Sequence, residues 1–400
     1  MRVLIYTTKS QDNDMKQRFA SVLARNLDKY IGVSIHTSLS SLRENLTSGE
    51  PHIIHILGCN SINIYRAVSM AMNHFIPVVL SPLGDLLHWN ETTIQQATYR
   101  HFIKAVIHRV DAIHTCSVME ARRMEALAWN LRQETIQNCI VSNQISMQQM
   151  ASAMIRLYNK VIDSNTFRLM TEEEKRAENI LLYHGLSLST SKLQSSHNAE
   201  NNSLHHGQDL QGPPPSALLT LTPDSWRKIL LHANDEHILD TVTAGASYLR
   251  LQIADVKIEH VDRFAQKLLK PNTLLPTDQL LAKHAIKMRT VFDHLRQDEK
   301  PSEIELALCY LLVNTQHALR HATLTKRQLA QLYLLLRFSD YDEDKAARML
   351  KRLGLTSFTA SILQILSESL ALEEGFMPIE PADNRYTNTI RKKLHKINLQ

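Results

Sequence analysis

Cysteine is sparse in this chain: Cys59, Cys116, Cys139 and Cys309 are the four among 400 residues. Three lie in apolar, strand-like runs and the fourth in an apolar helical run, and no two form a CxxC pair. Neither a disulfide framework nor a zinc site is indicated. Glycine is missing where a nucleotide-binding fold needs it. The first apolar run, Arg2–Thr7, leads into TTKSQDND, so the dinucleotide fingerprint is absent, and GxxxxGK(S/T) occurs nowhere. NAD and ATP chemistry are not expected, and no cofactor is called for. No stretch approaches the roughly 18 apolar residues of a membrane span, so no transmembrane segment is expected. The opening MRVLIYTTKS breaks at once into polar residues and has no signal-peptide core. A reducing, cytoplasmic location is the expectation. Charge of one sign is also lacking: 45 basic against 40 acidic residues leave +5. That balance demands neither nucleic acid nor a membrane surface as partner. The 20 histidines are scattered rather than clustered. His101, His108, His114 and Cys116 have no known ligand spacing, so no metal is expected.

What is present is apolar residue in quantity, 44% of the chain, enough for the cores of two or three domains. Six short runs have strand character: Arg2–Thr7, Gly32–Thr37, His52–Gly58, Pro77–Pro82, Ala112–Ser117 and Cys139–Asn143. Several are nearly continuous in apolar residues, as in strands buried on both faces of a parallel sheet. Helical spacing fills most gaps, as with Met15, Phe19, Leu23 and Leu27, and with Ile62, Tyr65, Val68 and Met72. Ser117 with Glu120 and Ser146 with Gln149 read as capping boxes. Strand–helix alternation predicts a doubly wound parallel sheet of Rossmann-like type over residues 1–165.

Four segments carry a resemblance. PHIIHILG is similar to a P-D-(I/V)-(I/V)-H-x-H-G strand, IPVVLSPLGDLLHW to a P-x-(I/V)-x-(S/T)-x-H-G strand and loop, DAIHTCSVMEARRMEAL to a D-x-(I/V)-(I/V)-x-x-S strand and helix, and CIVSNQI to an (I/V)-x-N-G-(I/V) strand end. In that order they resemble the N-terminal, acceptor-side domain of family 4 GT-B glycosyltransferases. The closing MQQMASAMIRLYNKVIDS resembles the helix that crosses back onto that domain. The resemblance implies hexosyl transfer in polysaccharide or glycoconjugate synthesis, with an acceptor glycan or lipid-linked sugar held at the sheet's carboxyl edge.

Ser81, Gly84, Asp85 and His88 follow the fourth strand at that edge and are the candidates for acceptor binding, with Asp85 as a base for the acceptor hydroxyl. Glu120 faces the same cleft, and its place three residues after Ser117 also makes it a capping residue. The catalytic residue itself is left unassigned, because the chain departs from the family pattern. Leu83 stands where the family has a histidine, and Leu can neither donate a hydrogen bond nor shuttle a proton. Gln144 replaces the glycine after Asn143, and the loop after the first strand lacks its glycines. No second Rossmann domain follows to supply the cations and helix N-terminus that stabilise a departing diphosphate. The resemblance therefore implies a half-enzyme, inactive as a pseudoenzyme or dependent on a partner chain that carries the sugar-nucleotide domain.

Beyond residue 165 the reading is a short helix over 166–186 with a Thr171/Glu174 box, then a polar linker over 187–216 with PPII character at Pro213–Pro215. Thr222 and Pro223 open an all-helical domain of seven or eight helices over 217–375, including one near 257–270, and a basic tail over 376–400 ends the chain. Residues 323–372 could mimic a helix-turn-helix, but Lys345, Arg348, Lys351 and Arg352 are balanced by nearby acids, and nucleic acid is not the expected partner. A non-catalytic scaffold or regulator is the alternative to the glycosyltransferase-like reading.

Overall fold

The computed structural model describes residues 1–8, 15–48, 51–87, 94–142, 145–197, 216–253, 255–256, 258, 261–264, 285–320 and 324–396. The chain divides into an α/β unit, Met1–Leu169 with Glu259–Ala265, and a helical unit, Met170–Ile258 with Gln266–Gln400.

The α/β unit runs β1 (Arg2–Thr7), α1 (Met15–Leu27), β2 (Gly32–His36), α2 (Leu39–Ser48), β3 (Ile53–Leu57), α3 (Ile62–Asn73), β4 (Val78–Ser81), α4 (Ile94–Arg109), β5 (Ala112–Thr115), α5 (Val118–Leu127), β6 (Gln133–Thr135), α6 (Met147–Asp163) and α7 (Thr166–Leu169). All neighbouring strands are parallel, in the order β2-β1-β3-β4-β5-β6. The chain steps from β1 out to β2, then returns to lay β3 on the other side, which puts the topological switch point between β1 and β3. The nearly continuous apolar runs are the central strands: every residue of β3, β4 and β5 is buried. Period-two alternation sends their side chains into two cores. Val3, Ile5, Ile53, Leu57 and Val79 meet α1 and α6 on one face, while Leu4, Tyr6, Ile54, Ile56 and Leu80 meet α2, α3 and α4 on the other. At the amino edge a buried ion pair ties α7 to the sheet. Arg168 Nη1 lies 2.7 Å from Asp111 Oδ1, whose partner oxygen accepts from the Val78 N–H at 2.8 Å.

The sixth strand is not where apolar character put it. It is Gln133–Thr135, paired with β5, and Cys139–Ser142 turns instead. The cause is Asn138: its side-chain oxygen accepts from the Ile140 N–H at 2.9 Å, and its carbonyl accepts from Val141 and Ser142 at 3.2 and 2.9 Å. Asn uses its own neighbours' donors and so withdraws them from a ladder. Asn143 and Gln144 lie outside the described residues.

The helical unit contains α8 (Glu172–His197), α9 (Ser216–Leu219), α10 (Pro223–Asp235), α11 (Leu239–Tyr248), α12 (Ala285–Asp298), α13 (Glu303–Arg320), α14 (Lys326–Phe338), α15 (Glu343–Arg352), α16 (Thr356–Leu370) and α17 (Arg385–Lys396). The expected capping box at Thr171/Glu174 forms, and Ser302/Glu305 and Thr325/Gln328 make two more. Two elements run longer than expected: α8 continues past Leu186 to His197, and much of the basic tail is the helix α17. The rest of the linker, 198–215, is outside the described residues. Gly185 does not end α8 because it serves a crossing. A Cβ there would fall 1.9 Å from the Thr241 carbonyl oxygen, and one on Gly245 of α11 would fall 1.9 Å from that of Leu181. Beside this crossing, buried Glu178 accepts from His232 at 2.7 Å and from Lys326, which pins α10 and the start of α14 to α8. Burial pushes its carboxyl up, but the contacts with His232 and Lys326 bring it down to about 2.

Three of the four basic residues named in the helix-turn-helix-like stretch have acidic partners. Lys345 pairs with Glu305, Arg348 with Glu299, and Arg352 with Asp298 and Glu299. In α17, Arg391 pairs with Glu368 and Asp383. Where one helix was expected near 257–270, Val261–Phe264 is irregular.

Candidate functional site

The carboxyl edge of the sheet is where open α/β folds take ligands. Here β3 ends at Leu57, β4 at Ser81 and β5 at Thr115, and the loops that follow are tied together by two acidic side chains. Asp85 receives Lys16 Nζ of α1 at 2.8 and 3.0 Å and the Cys59 N–H at 2.8 Å. Glu120 of α5 receives the Gly84 N–H at 2.8 Å and the Cys116 N–H at 2.7 Å. One carboxylate thus joins the β3 and β4 loops and the first turn of α1; the other joins the β4 and β5 loops. Gly58 is required beneath Lys16. Its φ is +86°, and a Cβ would lie 2.7 Å from Lys16 Nζ and 3.1 Å from Asp85 Oδ2.

The arrangement has an electrostatic meaning. Backbone N–H groups at loop ends and helix starts are what this fold class offers to anionic ligands. At Cys59, Gly84 and Cys116 those donors are bonded to the chain's own carboxylates. Burial raises the Glu120 carboxyl above its ordinary value; the Cys116 and Gly84 N–H groups oppose that, and the Asp85 charge adds to it. Burial likewise raises the Cys59 and Cys116 thiols, with Asp85 adding at Cys59 and Glu120 at both, so neither is poised as a nucleophile.

Of the sequence candidates, Gly84, Asp85 and Glu120 come together in this network. Ser81 lies beneath it, fully buried, with its hydroxyl in the core. His88 is outside the described residues. The Ser117 half of the expected capping box forms, its Oγ accepting from the Glu120 N–H at 3.2 Å. The Glu120 carboxylate goes to Cys116 and Gly84 instead of closing the box.

Sequence reasoning missed Lys16, whose partner is 69 positions away, and a buried chain running through Ser81. His114 Nε2 lies 2.9 Å from the Ile136 carbonyl, which can only accept, so Nε2 carries the proton. A neutral His114 then accepts at Nδ1 from the Ser81 hydroxyl, 2.6 Å away. Ser81 Oγ in turn accepts from His55 Nε2 at 2.6 Å, and His55 Nδ1 accepts from the Tyr158 hydroxyl at 2.8 Å. One direction of donation runs from α6 through β3, β4 and β5. The readable signal was a single histidine inside each of two otherwise apolar strands.

Burial holds both imidazoles neutral, His114 at about 4 and His55 well below its ordinary value, where a charge on His114 adds to the effect. The unfolded value near 6.5 exceeds the folded one, so between them the unfolded state binds more protons and stability rises with pH. Urea unfolding should lose up to about 3 kcal/mol from His114 alone between pH 6.5 and 4. His114→Gln should flatten that slope, whatever its effect at pH 7. A wild-type stability that is level from pH 6.5 to 4.5 would contradict the neutral chain.

Both His114 nitrogens are therefore engaged, and His101 and His108 are exposed on α4. Among the described residues no group of three His, Cys, Asp or Glu side chains is placed to hold a metal, and no helix is long and apolar enough to cross a membrane. No family model, curated protein or solved structure matches the chain. Function has to be argued from the site itself.

Proposed function

We propose that this chain is a glycosyltransferase-like protein of polysaccharide or glycoconjugate synthesis that does not transfer sugar by itself. In this reading the α/β unit is an acceptor-side platform, and a partner chain supplies the sugar-nucleotide domain wherever transfer occurs. The observation that carries the reading is the double tie at the carboxyl edge. Asp85, the candidate base, is paired with Lys16 and bonded to a backbone N–H, and Glu120 is buried on two more. A base for an acceptor hydroxyl needs a free oxygen within reach of that hydroxyl. The departing diphosphate needs unpaired cations and N–H donors, and those named here already have anionic partners.

The resemblance adds support by its layout: PHIIHILG covers β3, IPVVLSPLGD covers β4 and its loop, and DAIHTCSVMEARRMEAL covers β5 and α5. The second unit is helical and has no strand among its described residues. A cytoplasmic setting belongs to the same reading and fits four free, at least half-buried cysteines.

Saturation-transfer NMR of the full chain with UDP- and GDP-hexoses tests it. No transfer to either nucleotide is expected. Clear saturation of the uracil or guanine protons would mean that the chain has a donor site of its own, and the reading would fall.

A further inference from the structure

Residues 259–265 group with the α/β unit although the elements flanking them in sequence, α11 and α12, belong to the helical unit. Their described part, Val261–Phe264, makes three specific contacts with the last turn of α6. Lys160 Nζ sits 4.5 Å from the centroid of the Phe264 ring and 3.5 Å from Asp262 Oδ1. The Phe264 N–H donates to Ser164 Oγ at 3.1 Å. Ser164, the C-cap of α6, is held for that role because its own hydroxyl donates to the Lys160 carbonyl at 2.7 Å. Glu134 of β6 positions the ammonium from the other side at 2.9 Å. The Phe264 ring packs on the core that α1 and α6 share.

One lysine thus reads both an acid and an aromatic ring, and the cap hydroxyl reads the backbone between them and the core. We infer that the corner of α6 and β6 is a binding site for a peptide carrying an acidic residue two positions before an aromatic one, filled in cis by Asp262–Phe264. The site goes beyond the glycosyltransferase-like reading and does not depend on it. Its energetics make the occupant exchangeable. The ion pair is exposed on the Asp262 side, at 74%, and such pairs contribute little. With one cation–π contact and one hydrogen bond, a free peptide should bind with a dissociation constant on the order of millimolar. The tether supplies an effective concentration on the same order. The same segment of a second copy can then compete once its local concentration is comparable.

The test uses TROSY NMR of the full chain, following the Lys160 and Ser164 amides. The double variant Asp262→Ala with Phe264→Ala should shift both signals, since the corner is emptied. A synthetic peptide of residues 258–268 at millimolar concentration should return them toward their wild-type positions. The same peptide with Asp262 and Phe264 replaced by alanine should not, and adding Lys160→Ala to the protein should abolish the return. In the wild type the peptide should act several-fold more weakly, because the cis segment competes. Coincident spectra of the wild type and the double variant at Lys160 and Ser164 would overturn the inference. So would a peptide that leaves the double variant unchanged, or one that acts equally on the wild type. Binding of the peptide without binding of its alanine form separates recognition from a non-specific effect of high peptide concentration.

Discussion

Gly245→Ala should lower the unfolding midpoint of the helical unit by roughly 10 °C, the largest effect expected of any single methyl group added to this chain. Two terms compete. Alanine is the better helix former by about 1 kcal/mol, which favours the variant. Against it, the new methyl would stand 1.9 Å from the Leu181 carbonyl oxygen and 2.8 Å from its carbon. Those are backbone atoms of α8, so no rotamer change relieves the overlap, and the two helices have to part. Overpacking commonly costs about 1–3 kcal/mol and more where the neighbour is rigid. A net loss of about 3 kcal/mol is expected, and in a unit of this size each kcal/mol moves the midpoint by about 2–4 °C. Gly185→Ala meets the Thr241 carbonyl at the same 1.9 Å and should behave alike. The pair of substitutions should cost less than the sum, because helices already parted by one methyl have room for the other. Gly375→Ala is the control: nothing lies within 4 Å of its Cβ position, and its effect should stay within about 0.5 kcal/mol. Thermal melts followed by far-UV circular dichroism read all four. A Gly245→Ala midpoint at or above that of the wild type would show that α8 and α11 do not cross backbone to backbone.

That crossing also illustrates what the sequence could and could not tell. Strand–helix alternation and the apolar runs of β1 to β5 were legible, because burial on both faces leaves a continuous apolar signature. So were most caps, since Ser or Thr followed by Glu or Gln three positions later is a local pattern. Local turn chemistry at Asn138 took Cys139–Ser142 out of the sheet, and most other failures come from tertiary partners remote in sequence. β6 is the polar triplet QET, a strand only because β5 lies beside it. Gly185 lies within the expected helix, but nothing local says that α11 needs its space. Lys16 sits in an ordinary amphipathic helix, and nothing local points to Asp85. Glu120 was legible as a cap and as a cleft residue, yet its bonds to Gly84 and Cys116 follow from neither. Asp262 and Phe264 lie in a stretch that reads as helix, whereas Val261–Phe264 is irregular and contacts Lys160 and Ser164, about 100 positions away.

The site hypothesis turns on whether Glu120 is a tie or an acid held ready for chemistry, and its stability contribution separates the two. A carboxylate kept for catalysis is usually a burden on the fold, and removing it leaves stability unchanged or improved. A tie behaves in the opposite way. Glu120→Ala strips the acceptor from the Gly84 and Cys116 N–H groups, each at about 1–3 kcal/mol when left without a partner. Relief of the buried carboxyl, whose raised pKa records the strain of burial, returns part of that. A net loss of about 2–4 kcal/mol at pH 7 is expected, read by urea unfolding of the full chain with hydrogen exchange at the Gly84 and Cys116 amides to place the loss at the sheet's carboxyl edge. A Glu120→Ala chain as stable as the wild type, with both amides still protected, would contradict the tie and return Glu120 to the candidates for acceptor binding.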